Sequence, residues 1–588
     1  MLSRTLLVVA VAGATLFTTG CKNAVDVRQE MVYDVQVGDY NHAIPKVNDL
    51  YDSVLAGELA APDDKQVAEA DDISEKNELL WRMERGAIST VAGDTSGAKK
   101  HLDRASDLVV ERRTASLTRE IGTYLSNDTA QEYAGNGYEH VMVDYHRTIA
   151  AVVSAQRQQG ILAKQGDEPA DLDSTISAMN NIARGMILER IKFNQDNAPD
   201  LRYFDDPWAR TMAAAIVLAT PRANQAGDDE GFAFNNLVKA CKTYQEQAKV
   251  LGGASQFRYE IAGLPYVALR LAAYVGNSHD PRGLAQLLKD LGVDPTDQRV
   301  AGAKLDKSQG LLLIVNHADW ITPTDRLEMH LAIGAPVRPT VTKAEELRGV
   351  TVHGFQCWMT TCWAKGPGSE IAEGWSGAVA AVAEIGRLMG DIAPGTWIGW
   401  EMPVHRTDRP IPVPGTVKID AFELPLVVVS DLDAYARATL KDLQPGVLTK
   451  TMTRVITKHI AAAVAAAAAK EATKDQGVGG ALLGWAMGVG AHAAASASES
   501  ADTRHWGLLP DRIEATLTPI QAGKHRVSLN HAGGSIDLGE VDVPAGRLVI
   551  LPVRTFPNPV PNPYPGDAKN APVQSPNAAA SPAAPAAK

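Results

Sequence analysis

Asn316-His317-Ala318-Asp319-Trp320 directly follows an apolar run, Gly310 to Val315. A histidine and an aspartate two places apart at a strand end can ligate a metal or exchange a proton. Glu328 and His330 come next, in Leu-Glu-Met-His, and Cys357 and Cys362 stand in Phe-Gln-Cys-Trp-Met-Thr-Thr-Cys-Trp. In an oxidising compartment a C-x4-C pair reads most simply as a local disulfide, with two free buried thiols or redox chemistry as alternatives. A structural zinc site wants four ligands, and the chain has no second cysteine pair to complete one. H-E-x-x-H, G-x-S-x-G and P-loop patterns are absent. A histidine at a strand end is more often a loop hydrogen-bonder, so no catalytic residue, metal ion or cofactor is expected.

A second cluster, Ala501-Asp502-Thr503-Arg504-His505-Trp506-Gly507-Leu508-Leu509-Pro510, reads structurally. Asp502 can cap or pair with Arg504 through charge-assisted hydrogen bonds. Trp506 and Leu509 are expected to bury, with Pro510 ending the segment. An interdomain clasp is the expected role of Asp502, Thr503, Arg504, Trp506, Leu509 and Pro510, and a partner-binding surface is the alternative. Gly480, Gly484 and Gly488 form a G-x3-G-x3-G line in an uncharged stretch. Three glycines on one helical face suggest close helix contact, since each costs about 1 kcal/mol relative to alanine. A tight hairpin over 459–498 follows, or an oligomerising or membrane-inserting one. In Gly523-Lys524-His525-Arg526-Val527-Ser528-Leu529 the histidine reads as a packing element of a small β module, without chemistry. Cys241 reads as a lone helix residue.

These residues must be positioned by several elements. From about Val25 to Val293 the periodicity is helical. Gly86, Gly93, Ala98, Leu102 and Ala105, and less completely Gly38, Ala43, Val47 and Leu50, keep the spacings of tetratricopeptide-like hairpins. A mixed region follows, with strand patterns at 310–315, 337–352 and 396–419 and a helix over Ala378–Met389. Helix returns after Asp431. Arg512 to Val553 then gives short strands between Ala-Gly-Lys, Ala-Gly-Gly and Pro-Ala-Gly turns.

The chain is thus expected to be a multidomain α+β protein. Its divisions are a signal peptide over 1–21, a tetratricopeptide-like α-helical domain over 22–300, and a mixed α and β domain over 301–430. An Ala/Gly-rich helical hairpin over 431–500, a small β domain over 501–555 and a disordered Pro/Ala tail over 556–588 complete it.

Location is written at the start. Met1-Leu2-Ser3-Arg4 is a positive head, Thr5 to Phe17 an apolar run, and Thr18-Thr19-Gly20-Cys21 a small-residue cleavage site before a cysteine. Acylation of Cys21 would anchor the mature chain, each buried methylene contributing roughly 0.8 kcal/mol. Lys22 is compatible with transfer to the outer membrane. A net charge of −12 argues against a nucleic-acid binder.

The order of lipobox, Gly93-Asp94 turn, Tyr138-Glu139, the helix Thr451 to Lys458, the 501–510 motif and Gly523 to Val527 resembles a family of uncharacterised bacterial lipoproteins. That family joins N-terminal tetratricopeptide-like helices to a C-terminal Ala-Asp-Thr-Arg-x-Trp-x-x-Leu-Pro segment. The central region 316–410 departs from it, with extra Trp, Cys and His residues. The resemblance implies location and architecture, with no assigned reaction. The expected function is a lipid-anchored, non-enzymatic envelope scaffold that binds a protein partner and meets the membrane through Cys21. Alternatives are an envelope enzyme or metal-binding protein using His317/Asp319 or Cys357/Cys362, and an oligomerising or membrane-inserting protein using the 459–498 hairpin.

Overall fold

The computed structural model describes residues 24–51, 75–119, 132–162, 171–186, 191, 205–220, 225–251, 264–297, 300, 306–333, 340–341, 343, 350–357, 360–366, 396–405, 412–473 and 501–563. The protein is a multidomain α+β fold with a mostly helical N-terminal region. It divides into two compact units, residues 1–74 with 559–575, and residues 75–558 with 576–588. In the first, α1 (Ala24–Val37) and α2 (Tyr40–Tyr51) form a hairpin around Gly38, and Ala43 and Val47 are fully buried.

The second unit opens with a helical hairpin, α3 (Glu78–Ala92) and α4 (Thr95–Arg119). Gly86 sets its packing: a Cβ there would lie 2.5 Å from Leu102 Cγ and Cδ2, so only glycine admits the Leu102 side chain. Gly93 ends α3 at φ 75°, a left-handed conformation that glycine adopts without steric cost. Ala98, Leu102 and Ala105 are all fully buried on the facing side of α4. The helices α5 (Gly137–Gln158), α6 (Leu172–Gly185), α7 (Pro207–Ala219), α8 (Ala226–Leu251), α9 (Tyr266–His279) and α10 (Pro281–Leu291) follow. Their boundaries are locally encoded. Asp206 caps α7 by accepting from Trp208 N and Ala209 N, with Pro207 in its first turn. Asp280 and Pro281 open α10 in the same way, and Gly292 closes it.

Among the described residues, the remainder supplies twelve strands and one long helix. The strands are β1 (Gln309–Ala318), β2 (Thr324–Ile333), β3 (Thr351–Cys357), β4 (Thr360–Gly366), β5 (Thr396–His405), β6 (Thr416–Ile419), β7 (Phe422–Pro425) and β8 (Val427–Asp431). After α11 (Leu432–Thr473) come β9 (Arg512–Gln521), β10 (Gly523–His531), β11 (Gly534–Val543) and β12 (Leu548–Thr555). They form three sheets, ordered β12-β1-β9-β8, β11-β10-β6-β7 and β3-β4-β2-β5. β1 runs parallel to β12 and antiparallel to β9. Alternate residues of β1 and β12, including Leu312, Ile314, Val549 and Leu551, meet Val417, Ile419, Val527 and Val541 of the second sheet in one apolar core. The other face of the first sheet receives helices: Tyr244 Oη donates to Val429 O at 2.7 Å and Arg270 Nη1 to Leu517 O at 2.9 Å. The free edge of β12 is closed by Gln156 of α5, which accepts from Ile550 N at 2.9 Å and donates to Ile550 O at 2.6 Å. The third sheet packs Leu327, Met329, Cys362, Trp400 and Met402 against Met452 and Val455 of α11.

The strands of 501–555 pair beyond their own segment: β9 and β12 flank β1, and β10 pairs with β6. The reason is β1 itself: Leu311 to Val315 are buried on both faces, and such a strand needs a neighbour on each edge and cover on each side. The helix expected at Ala378–Met389 lies outside the described residues, as does the stretch 474–500 of the expected hairpin. α11 carries the 432–473 part as a single helix.

Candidate functional site

The 501–510 motif runs as an irregular strap, with a turn over 507–509, between the helices and the first sheet. Asp502 and Arg504 pair through two hydrogen bonds, Nε to Oδ1 at 2.9 Å and Nη2 to Oδ2 at 2.7 Å. Arg504 also donates to Asn77 Oδ1 at 3.2 Å and lies over the Tyr133 ring, 5.4 Å from its centroid. Beyond it the strap's backbone is held by two carboxylates that are fully buried. Glu139 of α5 accepts from Trp506 N at 2.7 Å. Glu84 of α3 accepts from Gly507 N at 2.8 Å through one oxygen and from Leu508 N at 3.1 Å through the other. The second oxygen of Glu139 accepts from Tyr133 Oη and Asn136 N, both at 2.6 Å. Burial pushes the Glu139 carboxyl upward, and these hydrogen bonds oppose that by favouring the carboxylate. On the sheet side, Leu509 O accepts from Ile321 N at 2.8 Å, and Leu508 O accepts from Arg554 Nη2 at 3.3 Å. Trp506 and Leu509 are fully buried.

Beneath the strap, aromatic and charged groups meet. Trp208 Nε1 donates to Tyr145 Oη at 3.3 Å, and Tyr145 Oη lies 2.9 Å from His317 Nε2. His317 Nδ1 is 3.1 Å from Val553 O, so Nδ1 carries the proton and Nε2 accepts from the tyrosine. Burial and the neighbouring Arg554 hold the His317 imidazole down at about 3, which makes it neutral. His146 stacks between His317 and Trp506, with centroids 5.8 and 5.4 Å away, and burial keeps it neutral too. Arg554 faces Asp319 and Asp511. Asp319 adopts φ 57° and is fully buried. Both ring nitrogens of His317 are thus engaged in hydrogen bonds within the fold.

A groove of about 410 Å3 opens beside the beginning of the strap. One wall is a stripe of α11: Ala436, Thr439, Leu440, Leu443, Val447, Lys450, Thr451 and Arg454. Their spacing of three and four residues puts them on a single helical face. The opposing walls are Glu401, Pro403 and His405 of β5, the turn Glu132 to Asn136, and Ala501, Asp502 and Arg504 of the strap. Strand alternation separates roles along β5: Trp400, Met402 and Val404 enter the core, whereas Glu401, Pro403 and His405 line the groove. Burial raises the Glu401 carboxyl, and Arg326 together with the Ala501 N–H, 3.1 Å from Oε2, opposes the shift. Burial takes His405 down to about 4, with Asp433 opposing and Arg437 adding to the effect.

The residues singled out by sequence are not brought together. His317 and Asp319 lie at the end of β1, whereas Cys362 sits in the apolar core of the third sheet and is disulfide-bonded. The Cys357 side chain lies outside the described residues. In β3 and β4 the backbone pairs Cys357 with Thr360 and Phe355 with Cys362. Glu328 and His330 share β2, with Oε2 and Nε2 3.4 Å apart, and Lys365 is 3.6 Å from the same carboxylate oxygen. Gly480, Gly484, Gly488 and Cys21 lie outside the described residues. Cys241 is free and buried. His525 bridges Asp420 Oδ2 and Gln521 O, each at 2.7 Å, and so pins the β10 entry to the turn after β6.

Sequence reasoning missed Glu84, His146 and the groove, and named Glu139 only within the family resemblance, with no role. Asn136-x-x-Glu139 is a capping-box pattern that could have pointed to Glu139. Glu84 carried no such signal, since Trp-Arg-Met-Glu-Arg reads as an ordinary charged helix face. Among the described residues no three His, Cys, Asp or Glu side chains group as a metal site, and no helix is long and apolar enough to cross a membrane. No protein-family model, curated protein or solved structure matches the chain.

Proposed function

We propose that the chain is a lipid-anchored protein of the bacterial envelope, held at the outer membrane through acylated Cys21, and that it acts by binding a protein partner rather than by catalysis. In this proposal its helical hairpins are tetratricopeptide-like, and the 501–510 strap is a clasp that fixes the walls of a binding groove. The observation that carries it is how the carboxylates of the strap and of the groove wall are used. Glu84 and Glu139 hold strap amides, Asp502 holds Arg504, and Glu401 holds the Ala501 amide and Arg326. A base or nucleophile has to be presented to a substrate; these groups instead make the walls rigid, which lowers the ordering cost of binding.

The test is a photo-cross-linking residue placed at Leu443 on the groove, or at Phe422, an exposed control position on β7. In the native envelope, Leu443 should yield a discrete adduct and Phe422 none. Labelled palmitate should enter the wild-type chain and not Cys21→Ala. Equal adducts from both positions, or none from either, would sink the binding role. Palmitate uptake by the Cys21→Ala chain would sink the anchor.

A further inference from the structure

The α11 stripe that lines the groove is graded along its length. Its N-terminal part, Ala436, Leu440, Leu443 and Val447, is apolar apart from Thr439, and Leu443 is 40% exposed. Its C-terminal part is Lys450, Thr451 and Arg454. At 1.5 Å per residue the stripe is about 27 Å long, a length that about eight extended residues match at 3.3 Å each. That shape suits a length of chain better than a compact metabolite.

Charge along the walls is asymmetric once existing partners are accounted for. Three carboxylates line the groove, and each already faces a cation: Asp502 pairs with Arg504, Glu401 with Arg326 at 3.2 Å, and Glu132 lies in the field of Arg112. Lys450, exposed on the rim, enters no ion pair among the described residues. Arg454, one turn further along, donates to Thr451 Oγ1 at 3.4 Å and is 2% exposed. On the facing strand, His405 Nδ1 is buried and has no hydrogen-bond partner among the described residues.

Building on the binding role proposed above, we infer that the groove takes an extended peptide segment of a partner protein in which apolar side chains lie a few residues from an acidic side chain. The apolar side chains cover Leu440, Leu443 and Val447, and the carboxylate meets Lys450. Electrostatic complementarity at a rim position contributes to selectivity more than to raw affinity, so discrimination between related peptides is the informative readout.

The experiment uses the full-length lipidated protein in detergent micelles and a fluorescein-labelled, C-amidated Ala-Leu-Ala-Leu-Ala-Ala-Glu-Ala peptide, with a Glu-to-Gln version as its partner. Fluorescence anisotropy should show the Gln peptide binding about fivefold more weakly, on the scale of one exposed charge pair. Lys450→Glu should abolish that preference or reverse it. Leu443→Asp, at an exposed position that leaves the core untouched, should weaken both peptides at least tenfold. Equal affinity for the two peptides, or a preference that survives Lys450→Glu, would overturn the assignment of the acidic group. Absence of binding while Leu443 still cross-links in the envelope would overturn the peptide chemistry and leave the binding role standing. Failure of both would remove the two together.

Discussion

Replacing Glu84 by Gln tests whether the strap is held from the helices. The side chain is fully buried, and its two oxygens accept from the Gly507 and Leu508 amides at 2.8 and 3.1 Å. Gln keeps the shape but offers one acceptor; its NH2 group must face the other backbone N–H, donor against donor. A hydrogen bond to a charged group is lost, worth about 1.5–3 kcal/mol, and an N–H is left buried without an acceptor, at about 1–3 kcal/mol. The neutral amide costs less to bury than the carboxylate, which returns part of this, so a net loss of about 3 kcal/mol is expected. At 1.36 kcal/mol per decade that is roughly a hundredfold. Hydrogen exchange of the peptide spanning 501–510, read by mass spectrometry, should accelerate by that factor, while peptides from the second sheet change little. Asp502→Asn is the control. The Asp502 and Arg504 side chains are 26% and 14% exposed, and their pair is worth at most about 1 kcal/mol. If Glu84→Gln exchanges no faster at the strap than Asp502→Asn does, the clasp is wrong.

Two further outcomes follow from buried groups. His317 is held at about 3 in the fold by burial and Arg554, against an ordinary value near 6.5 in the unfolded chain. The folded state therefore resists protonation. Its stabilising contribution is complete above about pH 6.5 and is lost as pH falls from there toward about 3, amounting to about 2 kcal/mol by pH 5. His146 is shifted the same way and adds to the loss. The urea midpoint should drop between pH 7 and pH 5, and His317→Gln, whose amide oxygen can still accept from Tyr145, should flatten that drop; an unchanged slope in the variant would refute the assignment. Gly86→Ala drives a methyl to 2.5 Å from Leu102 and should destabilise the α3–α4 hairpin by about 1–3 kcal/mol in thermal unfolding. Adding Leu102→Val should restore part of that loss, and strictly additive effects would show that the two residues are not in contact.

What the sequence determined by itself is local. Asp206-Pro207 and Asp280-Pro281 state where helices begin, and Gly93 and Gly292 where they end, because caps act between residues a few places apart. The apolar run at 311–315 and the Gly-containing turns between β9 and β12 foretold strands for the same reason. Even the Asp502–Arg504 pair was legible, its partners being two residues apart. Tertiary structure alone decided what those elements meet. Glu84 reaches Gly507 across 423 positions, and Gln156 closes the edge at Ile550 across 394. His317 reads as a strand-end hydrogen-bonder without a partner to name until Tyr145 and Val553 occupy both its nitrogens. The two-faced burial of β1 required partners, but nothing near it in the chain said that they would come from 512–521 and 548–555. Propensity and capping are written between covalent neighbours, whereas a buried carboxylate is satisfied by whichever amides chain closure brings to it.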